Sequence, residues 1–209
     1  IPLRLVGSEM CIRDSINAQH EMSYDDSRNE GTGKMNDELR SVHQSCPATK
    51  FILSGFSQGA VIAGDVADEI GGGQGVVPAE SIAGVALIAD GRRQNGVGQN
   101  PGRKVGGVGA EIALQPVSGL VQPIVPGASM RGARQNGFGS LADRTFQICA
   151  PNDSVCDAPP NVTNALERAQ GLIAANGVHA QYASNSGVID GTTANQWVVG
   201  WARQLIDAA

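Results

Sequence analysis

Histidine is scarce: 209 residues contain three, His20, His43 and His179, so few side chains are suited to proton transfer near neutral pH. Long apolar runs are missing too. None approaches the roughly 20 residues that a membrane-spanning helix needs. Positive charge is outweighed, with 15 Lys and Arg against 20 Asp and Glu, and the net charge of −5 argues against nucleic acid as a partner. No internal repeat is visible, which excludes a repeat architecture. No signal-peptide pattern is visible either. What is present is 41% hydrophobic residues, enough for a sizeable core in one domain of this length.

The chain is organised around Phe51-Ile52-Leu53-Ser54-Gly55-Phe56-Ser57-Gln58-Gly59-Ala60. The short apolar run at its start suits a buried parallel strand, although periodicity alone does not separate that from a buried helix. It ends in Gly55-Phe56-Ser57-Gln58-Gly59, a G-x-S-x-G sequence. A helical pattern follows through Ala60, Val61, Ala63, Ala67 and Ile70 and stops at Gly71-Gly72-Gly73. Strand, sharp turn, serine and helix are the context of a nucleophile elbow. The glycines allow the tight turn, and the helix N-terminus favours negative charge near the Gln58 N–H, a candidate oxyanion donor. A bare G-x-S-x-G also arises by chance as a Gly/Ser-rich turn; the flanking pattern favours the functional meaning.

Upstream, Ser27 with Glu30 forms a possible capping box for a helix that carries Met35, Leu39 and Val42 toward the sheet and stops at Cys46-Pro47. A second buried strand is predicted over Ser81–Ala89, ended by Asp90-Gly91. Residues 91–140 are the least regular: a glycine-rich loop, then the uncharged, proline-punctuated stretch Ile112–Pro126, which reads equally as a lid or as a loop tucked over the core. A strand is expected over Thr145–Cys149 and a helix over Val162–Ala175, with Leu166, Ala169 and Ile173 on one face. A terminal helix over Thr193–Ala208 repeats Trp197, Trp201 and Leu205 every four residues, as core packing does. Strands alternating with helices indicate a mostly parallel sheet covered on both faces, an α/β fold.

A serine nucleophile needs a base and an orienting acid. His20 and His43 precede the serine; only His179 follows it, as the order Ser, Asp, His of α/β hydrolases requires. Asp153 follows the last expected strand, on a loop between Cys149 and Cys156. A disulfide there would close an eight-residue ring and fix the loop, stabilising by roughly 2.5 kcal/mol on the chain-entropy model. It would also imply an oxidising compartment. Metal binding is the weaker alternative, because C-x6-C without a nearby histidine is a poor zinc pattern.

These residues together resemble the cutinases, in particular the cutinase-like serine esterases of mycolate-bearing actinobacteria. The resemblance rests on Gly55-Phe56-Ser57-Gln58-Gly59 with Cys46 before it, on Cys149 with Asp153-Ser154-Val155-Cys156, and on His179 in an H-x-x-Y setting. It runs from about Glu21 to the C-terminus. Met22-Ser23-Tyr24-Asp25-Asp26-Ser27-Arg28, Ala89-Asp90-Gly91-Arg92-Arg93-Gln94 and Gly137-Phe138-Gly139 are similar to the envelope lipase branch. The resemblance implies a compact α/β hydrolase, with Ser57 as nucleophile, His179 as base, Asp153 as orienting acid, an oxyanion N–H at Gln58, and a Cys149–Cys156 disulfide. It implies hydrolysis of carboxylic esters, phospholipids or acyl thioesters with no metal or organic cofactor, by a secreted or envelope-associated monomer. A catalytically silent lipid-binding protein that keeps the fold is the alternative.

Two departures shape the expectations for the N-terminus. Val6-Gly7-Ser8-Glu9-Met10-Cys11-Ile12-Arg13-Asp14-Ser15 resembles translated sequencing adapter, so residues 1–15 are expected to be a non-native leader and 16–209 the domain, with a lid region at 91–140. The family's first core strand, which carries its second oxyanion donor, is then expected to be missing, and the chain to have little or no esterase activity. Cys46 is left with Cys11 as its only candidate partner.

Overall fold

The computed structural model describes residues 3–7, 22–174 and 177–208. Phe51, Ile52 and Leu53 are all fully buried because strand β2 (Lys50–Phe56) has helices on both faces. Side chains alternate across a strand. Phe51 and Leu53 accordingly join Met35 and Leu39 of helix α1 (Tyr24–Ser45) and Ala60, Ala63 and Ala67 of helix α2 (Gln58–Gly71). Ile52 faces the other way, onto Trp201 and Ala202 of the C-terminal helix, labelled α6 below.

Four strands form the sheet among the described residues, in the order β1 (Leu3–Gly7), β2, β3 (Ile82–Ile88), β4 (Thr145–Ile148), with every pair parallel. Parallel strands need crossover connections, and α1 and α2 supply the first two. The strands predicted over Ser81–Ala89 and Thr145–Cys149 lie within a residue of those observed. β1 corrects the expectation of a missing first strand. Residues 3–7 pair with Lys50–Ser54, Leu3 opposite Lys50 and Gly7 opposite Ser54. Strand pairing is a main-chain interaction, so a short stretch without proline can fill that edge whatever its sequence resembles.

The cap of α1 is also one turn earlier than expected. Ser23, not Ser27, is the N-cap, and its Oγ accepts from the Asp26 N–H at 3.2 Å. Ser23 has an acidic residue three positions on, as Ser27 does, and the Tyr24 N–H is held by the Pro126 carbonyl at 3.0 Å, which fixes the entry point. Cys46 ends the helix as predicted.

The stretch Ile112–Pro126 is more ordered than its composition suggests. It forms helix α3 (Ala110–Leu114), a 3₁₀ turn (Gln115–Val117) and helix α4 (Ser118–Val121). Leu114 and Val121 are buried with Ala128, Met130 and Ala169, so part of it is a satellite core, while Leu120 is 62% exposed. Helix α5 (Ala165–Ala174) turns a different face inward from the one predicted: Ala165, Ala169 and Leu172 pack on this satellite core, and Leu166 is exposed. The Ile173 side chain lies outside the described residues.

Helix α6 (Ala194–Asp207) begins at a capping box, with Thr193 as N-cap and Gln196 reaching back to it. Trp197 and Trp201 stack with ring centroids 5.9 Å apart, and Phe146 of β4 packs against both. Gly84 makes room for this pair, because a Cβ there would stand 2.5 Å from Trp201. Gly84→Ala should therefore lower unfolding stability by about 1–3 kcal/mol in urea denaturation followed by tryptophan fluorescence. An unchanged midpoint would refute tight packing of α6 on the sheet.

Candidate active site

The carboxyl ends of β2, β3 and β4 converge, and three loops deliver side chains there. Ser57 sits between β2 and α2 with φ 55° and ψ −121°, a conformation that L residues rarely adopt and that needs surrounding structure to hold it. Two contacts provide that support. The Ser57 N–H donates to the Ile88 carbonyl at 2.9 Å, tying the turn to β3. Gly55 lets the strand approach the helix, since a Cβ there would lie 2.1 Å from the Gly59 carbonyl oxygen.

His179 lies on a 3₁₀ turn (Gly177–Gln181) shortly before α6, and Asp153 on the loop after β4. The structure brings both to Ser57. His179 Nε2 is 3.0 Å from Ser57 Oγ, and His179 Nδ1 is 3.0 and 3.1 Å from the two Asp153 oxygens. With Asp153 ionised, Nδ1 carries the ring hydrogen and the Nε2 lone pair faces the serine hydroxyl. The Phe56 ring stacks on the imidazole at 4.9 Å between centroids, which fixes its plane. His43 belongs to the last turn of α1, and His20 lies outside the described residues.

Asp153 is 1% exposed, and a buried carboxylate requires donors. Besides His179 it receives the Val155 N–H at 2.9 Å on Oδ1 and the Tyr182 hydroxyl at 2.7 Å on Oδ2. Tyr182 in turn accepts from the Ala150 N–H at 2.8 Å. Burial, reinforced by the Asp153 charge, pushes the Tyr182 phenol well above its ordinary pKa, so it stays protonated and able to donate. Beyond its place in H-x-x-Y, nothing in the sequence marked Tyr182 for this position.

The Asp153 loop is held from two more sides. Cys149 and Cys156 form a disulfide, and Arg93 Nε donates to the Cys156 carbonyl at 2.8 Å. Cys46 is exposed and forms no disulfide with a described residue, and Cys11 lies outside the described residues.

The Gln58 amide opens α2 at the positive end of its dipole, and its side chain is anchored by the Tyr24 carbonyl at 2.9 Å and the Ser27 hydroxyl at 3.1 Å. The second oxyanion donor, expected to be lost with the family's first core strand, would lie upstream of Met22, where residues 8–21 are outside those described.

Beside Ser57 and Gln58 opens a cavity of ≈ 150 Å³. Val61, Val125, Met130 and Leu172 line it, together with Tyr24 and Glu111. Glu111 is 3% exposed, accepting from the Tyr24 hydroxyl at 2.8 Å and from Arg131 Nε at 3.0 Å. Arg131 also reaches Asp65 at 2.6 Å, which binds Arg92 at 2.8 Å and Arg134 at 2.9 Å, and Arg134 pairs with Asp90 at 2.6 Å. Burial opposes charge on Asp65, but Arg134, Arg131 and Arg92 outweigh it and hold its carboxyl below the ordinary range. Among the described residues no group of three His, Cys, Asp or Glu is placed to hold a metal ion.

A serine at an elbow, hydrogen-bonded to a histidine backed by a buried carboxylate at the end of a parallel sheet, is the arrangement of an α/β-hydrolase site. The cutinase family model matches residues 6–200. The chain belongs to the cutinase family. It is 67% identical over 193 residues to the carboxylesterase Culp6 homolog of Corynebacterium glutamicum, covering 92% of this chain and 62% of that protein. It is 28% identical over 137 residues to the probable carboxylesterase Culp7 of Mycobacterium tuberculosis, covering 65% of this chain and 62% of that one. The chain thus spans about three-fifths of the length of each. Among solved structures, an acetyl xylan esterase aligns with TM-score 0.47 and 15% identity over 83% of this chain and 95% of its own.

Replacing Cys149 and Cys156 together by Ser should lower unfolding stability by about 2.5 kcal/mol, read from urea denaturation of the oxidised protein against the variant. Equal midpoints, or free thiols at both positions in a non-reduced peptide map, would contradict the cross-link.

Proposed function

We propose that this chain is a serine esterase that hydrolyses carboxylic esters through an acyl-enzyme. The observation that carries the reading is the continuous hydrogen-bonded line from Ser57 through His179 to Asp153. His179 Nε2 takes the proton from Ser57 Oγ as the oxygen attacks the ester carbonyl. Asp153 holds the ring and stabilises the imidazolium that forms. Negative charge on the carbonyl oxygen is met by the Gln58 N–H at the start of α2. The imidazolium then protonates the leaving alcohol, and a water activated by the same nitrogen releases the acid. Tyr182 acts through Asp153 as a positioning residue.

The strained Ser57 backbone supports an active site over a silent fold, because such strain persists where structure is organised to hold it. The two relatives carry carboxylesterase names, consistent with ester hydrolysis here. Phospholipids and acyl thioesters present the same electrophilic carbonyl and belong to the proposed substrate range. The Cys149–Cys156 disulfide supports a secreted or envelope location. Among the described residues no helix is long and apolar enough to cross a membrane.

A fluorophosphonate probe should label Ser57, and Ser57→Ala should lower p-nitrophenyl butyrate hydrolysis by at least about three orders of magnitude. A chain that binds lipid esters without turnover would leave Ser57 unlabelled and defeat the reading. Tyr182→Phe keeps the ring and removes one donor to a charged acceptor, so kcat should fall about ten-fold or more while KM changes little. An unchanged kcat would remove Tyr182 from the mechanism.

A further inference from the structure

We infer that the cavity beside Ser57 receives the acyl half of the ester and selects short acyl groups bearing a hydroxyl, read by Glu111 and Tyr24. The inference rests on the Ser57 mechanism proposed above. The side of the site decides which half enters. His179 must protonate the leaving alcohol, so the alcohol lies on the imidazole side. The cavity is lined by Ser57, Gln58 and Val61 and not by His179, which leaves it to the acyl group.

Size comes next. A dry cavity of about 150 Å³ holds a molecule the size of benzene, or about six heavy atoms, and this one is ≈ 150 Å³. Its walls are mainly apolar, yet Tyr24 and Glu111 line it. A wall made only to hold a hydrocarbon chain has no need of a buried carboxylate, which is costly to desolvate.

The hydrogen-bond inventory sets the chemistry. Glu111 accepts one bond on each oxygen, from Tyr24 and from Arg131, and a carboxylate has about four acceptor positions. The Tyr24 hydroxyl spends its hydrogen on Glu111 and keeps acceptor capacity. Burial, with the Glu111 charge second, raises the Tyr24 phenol well above its ordinary pKa, so it does not ionise to compete. The pair itself therefore offers acceptors, while Nη2 of Arg131, whose Nε binds Glu111, is a buried donor without a partner, and together these match a ligand group that both donates and accepts, as a hydroxyl does. Charge favours a neutral donor. Glu111, Asp65 and Asp90 face Arg131, Arg92 and Arg134, three negative against three positive, so the layer is already neutral and an ammonium would add an unmatched charge. A hydroxyl within six heavy atoms of the carbonyl satisfies size, polarity and charge together.

Matched ethyl esters test this. Hydrolysis of ethyl butyrate against both enantiomers of ethyl 3-hydroxybutyrate, and of ethyl hexanoate against ethyl 6-hydroxyhexanoate, is followed by pH-stat. In at least one pair kcat/KM should favour the hydroxy ester about ten-fold or more, as expected for a hydrogen bond to a charged acceptor. Glu111→Gln substitutes a neutral acceptor of the same shape and should cut that ratio about five-fold, whatever its effect on the absolute rate. A wild-type ratio of one or less in both pairs overturns the inference without reliance on any variant. A hydroxy preference that survives intact in Glu111→Gln removes Glu111 from it. Failure to turn over any of the four esters, with Ser57 unlabelled by the fluorophosphonate, fails the esterase reading itself.

Discussion

A carboxylate sealed from water dominates the end of this sheet. Asp153 is 1% exposed, and its charge is tolerable only because a backbone N–H, a phenol and an imidazole N–H all point at it. Each of those donors is itself held. The Val155 amide lies inside the ring closed by the disulfide, Tyr182 is fixed by the Ala150 amide, and His179 is clamped under Phe56. Remove the carboxylate and the imidazole loses both its orientation and its compensating charge. The geometry at Ser57 is thus downstream of how well one buried anion is solvated by protein.

A second set of buried charges surrounds Asp65. Asp65 on α2 gathers Arg92, Arg131 and Arg134 from two segments distant in sequence, and Arg134 returns to Asp90 at the end of β3. Buried ion pairs are weak evidence for stability, because desolvation offsets much of their attraction. Here they fasten the irregular segment near residues 128–134 to the sheet, and with it Met130, which lines the cavity wall. A loop region can then present a shaped surface without a strand or long helix of its own.

Much of this was legible from residue patterns. The buried run Phe51–Leu53, the glycine-flanked Ser57 and the tryptophan spacing of α6 each follow from local periodicity or turn chemistry, and chain order alone singled out His179 among three histidines. What escaped notice lacks a local signature. The Arg131–Glu111 and Arg134–Asp65 pairs join residues 20 and 69 apart, a distance at which no periodicity operates. The inward face of α5 was misjudged because Leu166 and Leu172 fit a helical repeat equally well, and only the position of the satellite core decides between them. Two Ser-x-x-acidic sequences one turn apart made the start of α1 ambiguous, and the Pro126 carbonyl resolved it. β1 was overlooked because its pairing is written in main-chain groups, which every residue but proline supplies.

The separation of Ser57 from His179 along the chain has a temporal consequence. The two are 122 residues apart, with the serine first. At about 5–20 residues per second, a ribosome makes the histidine roughly 6–24 s after the serine. Throughout that interval the nascent Ser57 has no His179 to bond. His179 then arrives on a short turn leading into α6, whose tryptophans must still settle on the sheet. On the mechanism proposed above, a chain interrupted between Ser57 and His179 would carry the serine hydroxyl without the imidazole that its proton transfer requires.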